Sequence, residues 1–288
     1  MKNLKKILFI VLALGLLFSC DKKEETTTSA TEPVEEQKPE LTGSVSTNGS
    51  TSMASVINSL AEAFMDKNPG VNITYDPTGS GTGVESVDSG TADIGLASRD
   101  LKDGEKANGL KSTVLALDGI AIIANENCTV DDISLDTLGK VFRGEIKNWS
   151  EVGGESLPIA CIGREAGSGT RDGFESITKT KGECKLQSEL TSTGAVISSV
   201  ANNKNAIGYA SLSAIENQKG IKVLTIDGVA ASEATVKNGT YKIQRPLNLV
   251  TKEGRALSEV AQAFFDFATS GSPETTNLIK KAGVVPAK

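Results

Sequence analysis

Histidine is absent from the 288 residues. Ser-His-Asp and Cys-His catalysis are therefore excluded, and so is the commonest transition-metal ligand. Aromatic residues make up only 4% of the chain, with a single tryptophan. The four cysteines follow no zinc-site spacing. Positive charge is also in deficit: the formal net charge of −6 argues against a nucleic-acid footprint. It does not argue against a small anion, because a local site of dipoles and one arginine can override the global charge. One apolar run stands out, Ile7 to Phe18, and it is too short for a routine membrane span.

What is present begins with that run. Lys2, Lys5 and Lys6 precede it, and Leu17-Phe18-Ser19-Cys20 ends it. A basic start, a short apolar core and a small-residue cleavage site read as a signal peptide over residues 1–19. The last four residues resemble a bacterial lipobox, which makes Cys20 the expected lipidated N-terminus of the mature chain. Residues 20–42 are rich in Glu, Thr, Lys and Pro. Such a stretch buries too little apolar surface to offset its ordering entropy, so a disordered tether is expected. Cys128, Cys161 and Cys184 remain, an odd number that permits one disulfide with a free thiol, or none.

At this length the chain can bury a sizeable core and divide into two domains. Ile57, Leu60, Ala61 and Phe64 recur at helical spacing, and Val71 to Tyr75 alternates as a strand. Val114 to Ala124 reads as a strand interrupted at Asp118-Gly119. A cycle of strand, polar turn and helix recurs along the chain. It predicts an α/β fold with mainly parallel sheets, its ligands gathered beyond the carboxyl ends of the strands.

Four turns of Ser, Gly and Thr occupy those positions: 49–52, 79–83, 97–100 and 167–171. The last belongs to Arg164-Glu165-Ala166-Gly167-Ser168-Gly169-Thr170-Arg171, between the apolar run Leu157 to Ile162 and a helix opening at Asp172 to Ile177. A helix N-terminus leaves backbone N–H groups pointing at one spot, hydroxyls add donors, and Arg164 adds a permanently charged fork. That set suits a tetrahedral oxyanion. Helix capping is the alternative for each Ser and Thr taken singly.

Together the turns are similar to those of a known family, the phosphate-binding proteins of bacterial ABC-type phosphate uptake systems. The resemblance runs from Gly43 almost to the end. It rests on Gly49 to Met53, Gly79 to Gly83, Ile94 to Arg99, Asp118 to Ala121, Phe142 to Trp149 and Arg164 to Arg171. Thr193 to Val196, Ala206 to Tyr209 and Arg245 to Leu247 agree as well. It implies the type II periplasmic-binding-protein fold, two α/β lobes with a hinge and a cleft between them. Lobe I would comprise 43–124 and 246–288, lobe II 125–245, and the hinge would fall near 124–126 and 244–247. Phosphate would be held by Thr51, Ser52, Ser80, Ser98, Arg164, Ser168, Gly169 and Thr170. Some members place an Asp acceptor in the third turn, about where Ser98 stands. Ser98 cannot be a charged acceptor, so Asp118 is the expected replacement, unless it only pairs with Arg99 or Arg164.

The resemblance further implies a lipoprotein outside the cytoplasm, in the periplasm or at the cell surface. It would be a monomer that delivers phosphate to the membrane subunits of an ABC permease, with no cofactor, metal or nucleic acid. The alternative is a binding protein or sensor for another tetrahedral oxyanion, such as sulfate, molybdate or a phosphonate. An enzyme of phosphoryl transfer would need a nucleophile with its base or a carboxylate metal cluster. Neither is legible, and Gly167 to Thr170 lacks the lysine of a Walker loop.

Overall fold

The computed structural model describes residues 40–288. The expected signal peptide, Cys20 and most of the expected tether lie outside the described residues. The chain opens with β1 (Thr42–Gly49), which starts one residue before the expected globular boundary. A single 3-10 turn, Thr51–Met53, leads into α1 (Ala54–Lys67). Val56, Ile57, Leu60, Ala61 and Phe64 line its buried face, the stripe that its periodicity predicts. Then come β2 (Gly70–Asp76), α2 (Ser80–Ser89), β3 (Ile94–Ala97) and α3 (Asp103–Ala107).

β4 (Leu110–Asn125) runs unbroken through Asp118-Gly119, where an interruption was expected. The sequence changes character there because the strand changes partners. Up to Gly119 it pairs with the late strand formed by Gln244–Lys252, and from Ile120 it pairs with that formed by Ala206–Ser211. After it follow β5 (Asp132–Ile133), α4 (Leu135–Phe142), β6 (Ala160–Arg164), α5 (Gly169–Thr178), β7 (Ser188–Leu190) and α6 (Thr193–Ala201). β8 (Ala206–Ser211), β9 (Ile221–Ile226), α7 (Glu233–Lys237) and β10 (Gln244–Lys252) lead back. The chain closes with α8 (Glu259–Thr269), α9 (Pro273–Lys281) and β11 (Val285–Pro286).

The strand order along the main path is β2-β1-β3-β10-β4-β8-β6-β7. Pairing is parallel where the strand–turn–helix cycle operates, at β1 with β2 and β3 and at β6 with β7 and β8. It is antiparallel wherever β4 or β10 takes part. The sheets are thus mixed, not mainly parallel. Two long strands must carry the chain out of one lobe and back again, and they run in opposite directions.

Apolar packing divides at the same place. One core joins Val45, Ile57, Phe64, Leu96, Leu115 and Ala116 to Leu247, Leu249 and Phe264. Ile120, Ile122 and Ala124 already pack with Phe142, Phe174, Tyr209 and Ile243, and Ala121 and Ile123 pack with Val196 and Val200. The passage between cores therefore lies at Asp118–Ile120, a few residues before the expected crossing at 125. Val285 reaches the second core although it follows α9. The aromatics fix α5 in place: the Phe174 and Tyr209 rings stack with centroids 4.2 Å apart. Truncating a fully buried Phe such as Phe174 costs about 3–5 kcal/mol. The Tyr209 hydroxyl accepts a 3.0 Å hydrogen bond from the Arg164 N–H, so the same packing sets the start of the Arg164 loop.

Candidate functional site

Each turn is shaped by its own backbone. Gly49 has φ near +141°, and a Cβ there would lie 2.2 Å from the Leu96 carbonyl oxygen. Only glycine lets β1 end against β3 in this way. Ser50 N–H then donates to that same carbonyl at 2.9 Å. Beyond it, the Ser50 hydroxyl donates to Ser98 Oγ at 2.8 Å, and Ser98 N–H donates to Ser80 Oγ at 3.0 Å. The first three turns are in this way tied into one wall, with Ser80 and Ser98 fully buried. Tyr75 supports it from below by donating to the Ser50 carbonyl at 2.7 Å. Burial, reinforced by the Asp76 carboxylate, pushes the Tyr75 phenol up, so it remains a donor.

The opposite wall is the fourth turn with a fifth, Ser192-Thr193-Gly194, at the start of α6. The two walls touch. Ser52 Oγ lies 2.9 Å from Thr170 Oγ1 and 2.8 Å from Thr193 Oγ1, and Thr51 Oγ1 lies 3.2 Å from Thr193 Oγ1. Gly81 N–H donates to the Gly167 carbonyl at 2.9 Å. At Gly169 a Cβ would meet Ser80 Oγ at 2.4 Å and Ser98 Oγ at 2.6 Å, so the α5 N-terminus is pressed against the first wall. Five polar turns from two lobes converge here, and the lobes are closed upon each other.

The geometry separates caps from the rest. Ser168 Oγ accepts from Arg171 N–H at 3.4 Å and Ser192 Oγ from Ala195 N–H at 3.1 Å, so both cap helices. No side chain caps α2 or the Thr51–Met53 turn. Ser52, Ser80, Thr170 and Thr193 spend their hydroxyls on one another and on the neighbouring turns.

Arg164 is almost wholly buried among these groups. Nε and Nη2 donate to the two carboxylate oxygens of Glu165, each at 2.8 Å. Nε also reaches the Leu190 carbonyl at 3.1 Å and Nη2 the Thr191 carbonyl at 3.3 Å. Nη1 donates to Thr193 Oγ1 at 3.1 Å. The guanidinium is clamped along its Nε–Nη2 edge, which leaves Nη1 facing the hydroxyls. Glu165 had no expected role, and Thr193 was expected only as part of a motif; both take part. For Thr193 the local signal was available, since Ser-Thr-Gly before a helix repeats the pattern of the other turns.

Asp118 stands apart. It pairs with Arg245 Nη2 at 2.9 Å and accepts from Ser211 Oγ at 2.8 Å, inside the passage between the lobes. The strand register places Arg245 directly opposite Asp118, which explains the pairing. Burial pushes the Asp118 carboxyl up and the Arg245 guanidinium down, each opposed by the other's charge. No hydrogen bond or ion pair ties the Asp118 side chain to the converging turns, nor to Arg99 or Arg164. Arg99 and Arg171 hold Glu105 at 2.7 Å and Glu175 at 2.7 Å respectively. Cys128, Cys161 and Cys184 are all free thiols. Among the described residues no group of three His, Cys, Asp or Glu could hold a metal ion.

Residues 25–272 match the PBP superfamily domain. Over 290 residues, covering 99% of this chain and 95% of the relative, the chain is 31% identical to the phosphate-binding protein PstS of Bacillus subtilis. The chain belongs to the PBP superfamily, among the relatives of PstS. Solved structures of such proteins share its fold. One, from Clostridium perfringens, is assigned as a phosphate ABC transporter substrate-binding protein and contains bound phosphate. It superposes with a TM-score of 0.81 at 38% identity, covering 85% of this chain and all of that one. An ABC-type phosphate transport receptor from Vibrio cholerae gives a TM-score of 0.69 at 29% identity, covering 84% and 99% of the two chains.

Proposed function

We propose that the chain binds inorganic phosphate between its lobes and delivers it to the membrane subunits of an ABC permease. The observation that carries the reading is the convergence of five Ser/Thr/Gly turns on the Nη1 side of Arg164. On this reading the anion displaces hydroxyl–hydroxyl bonds in the closed cleft. It takes donors from Thr51, Ser52, Ser80, Ser98, Thr170 and Thr193 and from the N-termini of α2 and α5 at Ser80, Ser168 and Gly169. Arg164 supplies the positive charge. Micromolar affinity requires about 8 kcal/mol. Several charge-assisted hydrogen bonds of roughly 1.5–3 kcal/mol each reach that figure after the cost of closing the lobes.

Closure pivots on the two crossing strands, at Asp118–Ile120 and Ile243–Arg245. The lobes are accordingly divided at those points, with 43–119 and 244–284 in one and 120–243 in the other. The N-terminal sequence supports a signal peptide over 1–19, lipidation of Cys20 and a tether reaching to the first strand. The protein then works as a monomer outside the cytoplasm, held to the membrane by its lipid. Calorimetric titration with phosphate and with sulfate tests the binding claim. One phosphate per chain, bound more tightly than sulfate, is the expected result. No heat with phosphate, or tighter binding of sulfate, overturns it.

A further inference from the structure

We propose that Asp172 is a latch residue, whose ion pair with Arg99 holds the lobes closed and slows release of the anion. The inference rests on the phosphate reading above and adds a positioning residue outside the set that touches the ligand.

Arg99 follows Ser98, at the end of the first wall. Its guanidinium is 95% buried and is fixed within its own lobe: Nη1 and Nη2 donate to both oxygens of Glu105, at 2.8 and 2.7 Å, and Nη1 also reaches the Asp100 carbonyl at 2.8 Å. Although burial acts to raise it, hydrogen bonds from Arg99 and Lys102 hold the Glu105 carboxyl below its ordinary range. The remaining donor, Nε, points away from Glu105 and lies 3.1 Å from Asp172 Oδ2, on the other lobe. Neither atom has a properly directed hydrogen bond, so the contact is one of charge. Lys102 Nζ adds a second cation 3.9 Å from the same oxygen.

The position of Asp172 couples this contact to the anion. It lies in the first turn of α5, two residues after Thr170, whose hydroxyl meets Ser52 across the cleft. Any motion that carries Gly169 and Thr170 away from Ser80 and Ser52 also carries Asp172 away from Arg99. The pair borders a cleft of about 360 Å³ between the lobes, so water reaches both groups as they part. Arg99 then keeps Glu105 as its partner, and Asp172 is hydrated. The latch is consequently weak enough to open, and it adds nothing to the open state.

The charge of Asp172 gives the test its sign. A carboxylate at the N-terminal end of α5 repels an anion bound there and stabilises the helix. If it did only these things, Asp172→Asn would tighten phosphate binding. The latch requires the reverse. In stopped-flow displacement of phosphate from the full chain, Asp172→Asn should release the anion about two- to fivefold faster, the scale of a partly screened ion pair. Asp172→Glu should recover most of the loss, and raising the salt concentration should narrow the gap to wild type. Arg99→Lys gives a second route, since one ammonium cannot hold Glu105 at two points and also face Asp172. It too should release phosphate faster. Unchanged or slower release from Asp172→Asn overturns the latch. Failure of the wild type to bind phosphate overturns the binding reading itself.

Discussion

Two arginines, Arg164 and Arg245, are equally buried and yet equipped for different work. Arg164 is held by its chain neighbour Glu165 and by the Leu190 and Thr191 carbonyls at the end of the adjoining strand β7. Its Nη1 is left among hydroxyls that can turn to serve another partner. Arg245 has one carboxylate, Asp118, contributed by the neighbouring crossing strand, and its Nε and Nη1 have no partner. An arginine that binds an anion must be positioned by something other than the anion, and Arg164 is. Arg245 is positioned by the charge that it neutralises, so that pair is a fixture of the passage between the lobes.

The comparison breaks most visibly if the two arginines respond alike. Arg164→Ala should cost about 3–5 kcal/mol of phosphate affinity, because the anion would be enclosed without its counter-charge. Calorimetry reads that loss, and affinity near the wild-type value would transfer the role to another cation. Asp118→Asn should act on folding: removing one member of a buried pair costs about 3 kcal/mol of stability by urea unfolding. Its phosphate affinity, measured where the variant is folded, should stay within a few-fold of wild type. A large loss of affinity with unchanged stability would return Asp118 to the binding site.

Smaller changes sharpen the distinction. Thr193→Val removes a hydroxyl that links Arg164 Nη1 to Ser52, and should weaken phosphate about tenfold, the worth of one hydrogen bond to a charged group. Stability should change little. Cys161 offers the mildest probe. Burial pushes its thiol up to about 12, so at pH 8 it should resist alkylation while the protein is folded. Its labelling in Asp118→Asn should quicken by the factor that the lost stability adds to the open population, and labelling at the wild-type rate would contradict the structural role of the Asp118–Arg245 pair.

Much of this was legible in the sequence because the anion turns are local. Gly49, Gly169 and the hydroxyls near them form short patterns at strand ends, and one helix opening is enough to give them direction. The pairing of Asp118 was not legible, for the opposite reason. Its partner Arg245 lies 127 residues away, so the pairing emerges only when β4 and β10 come into register. The same register accounts for the unbroken β4, which looked interrupted because its two halves serve different cores. Glu165 shows another limit: a charged residue in a turn has no face until its neighbours are placed, and here the neighbour is the arginine itself. Four of the turns were readable one by one and the fifth only as part of a family motif, and that Thr193 and Thr170 both meet Ser52 was not readable at all.

The most direct test of the account is a crystal structure of the protein with phosphate. The anion should lie between the walls, in contact with Arg164 Nη1 and the hydroxyls of Ser52, Ser80 and Thr170, with Asp118 still on Arg245. Phosphate bound at Arg245, or anywhere outside the five turns, would contradict it.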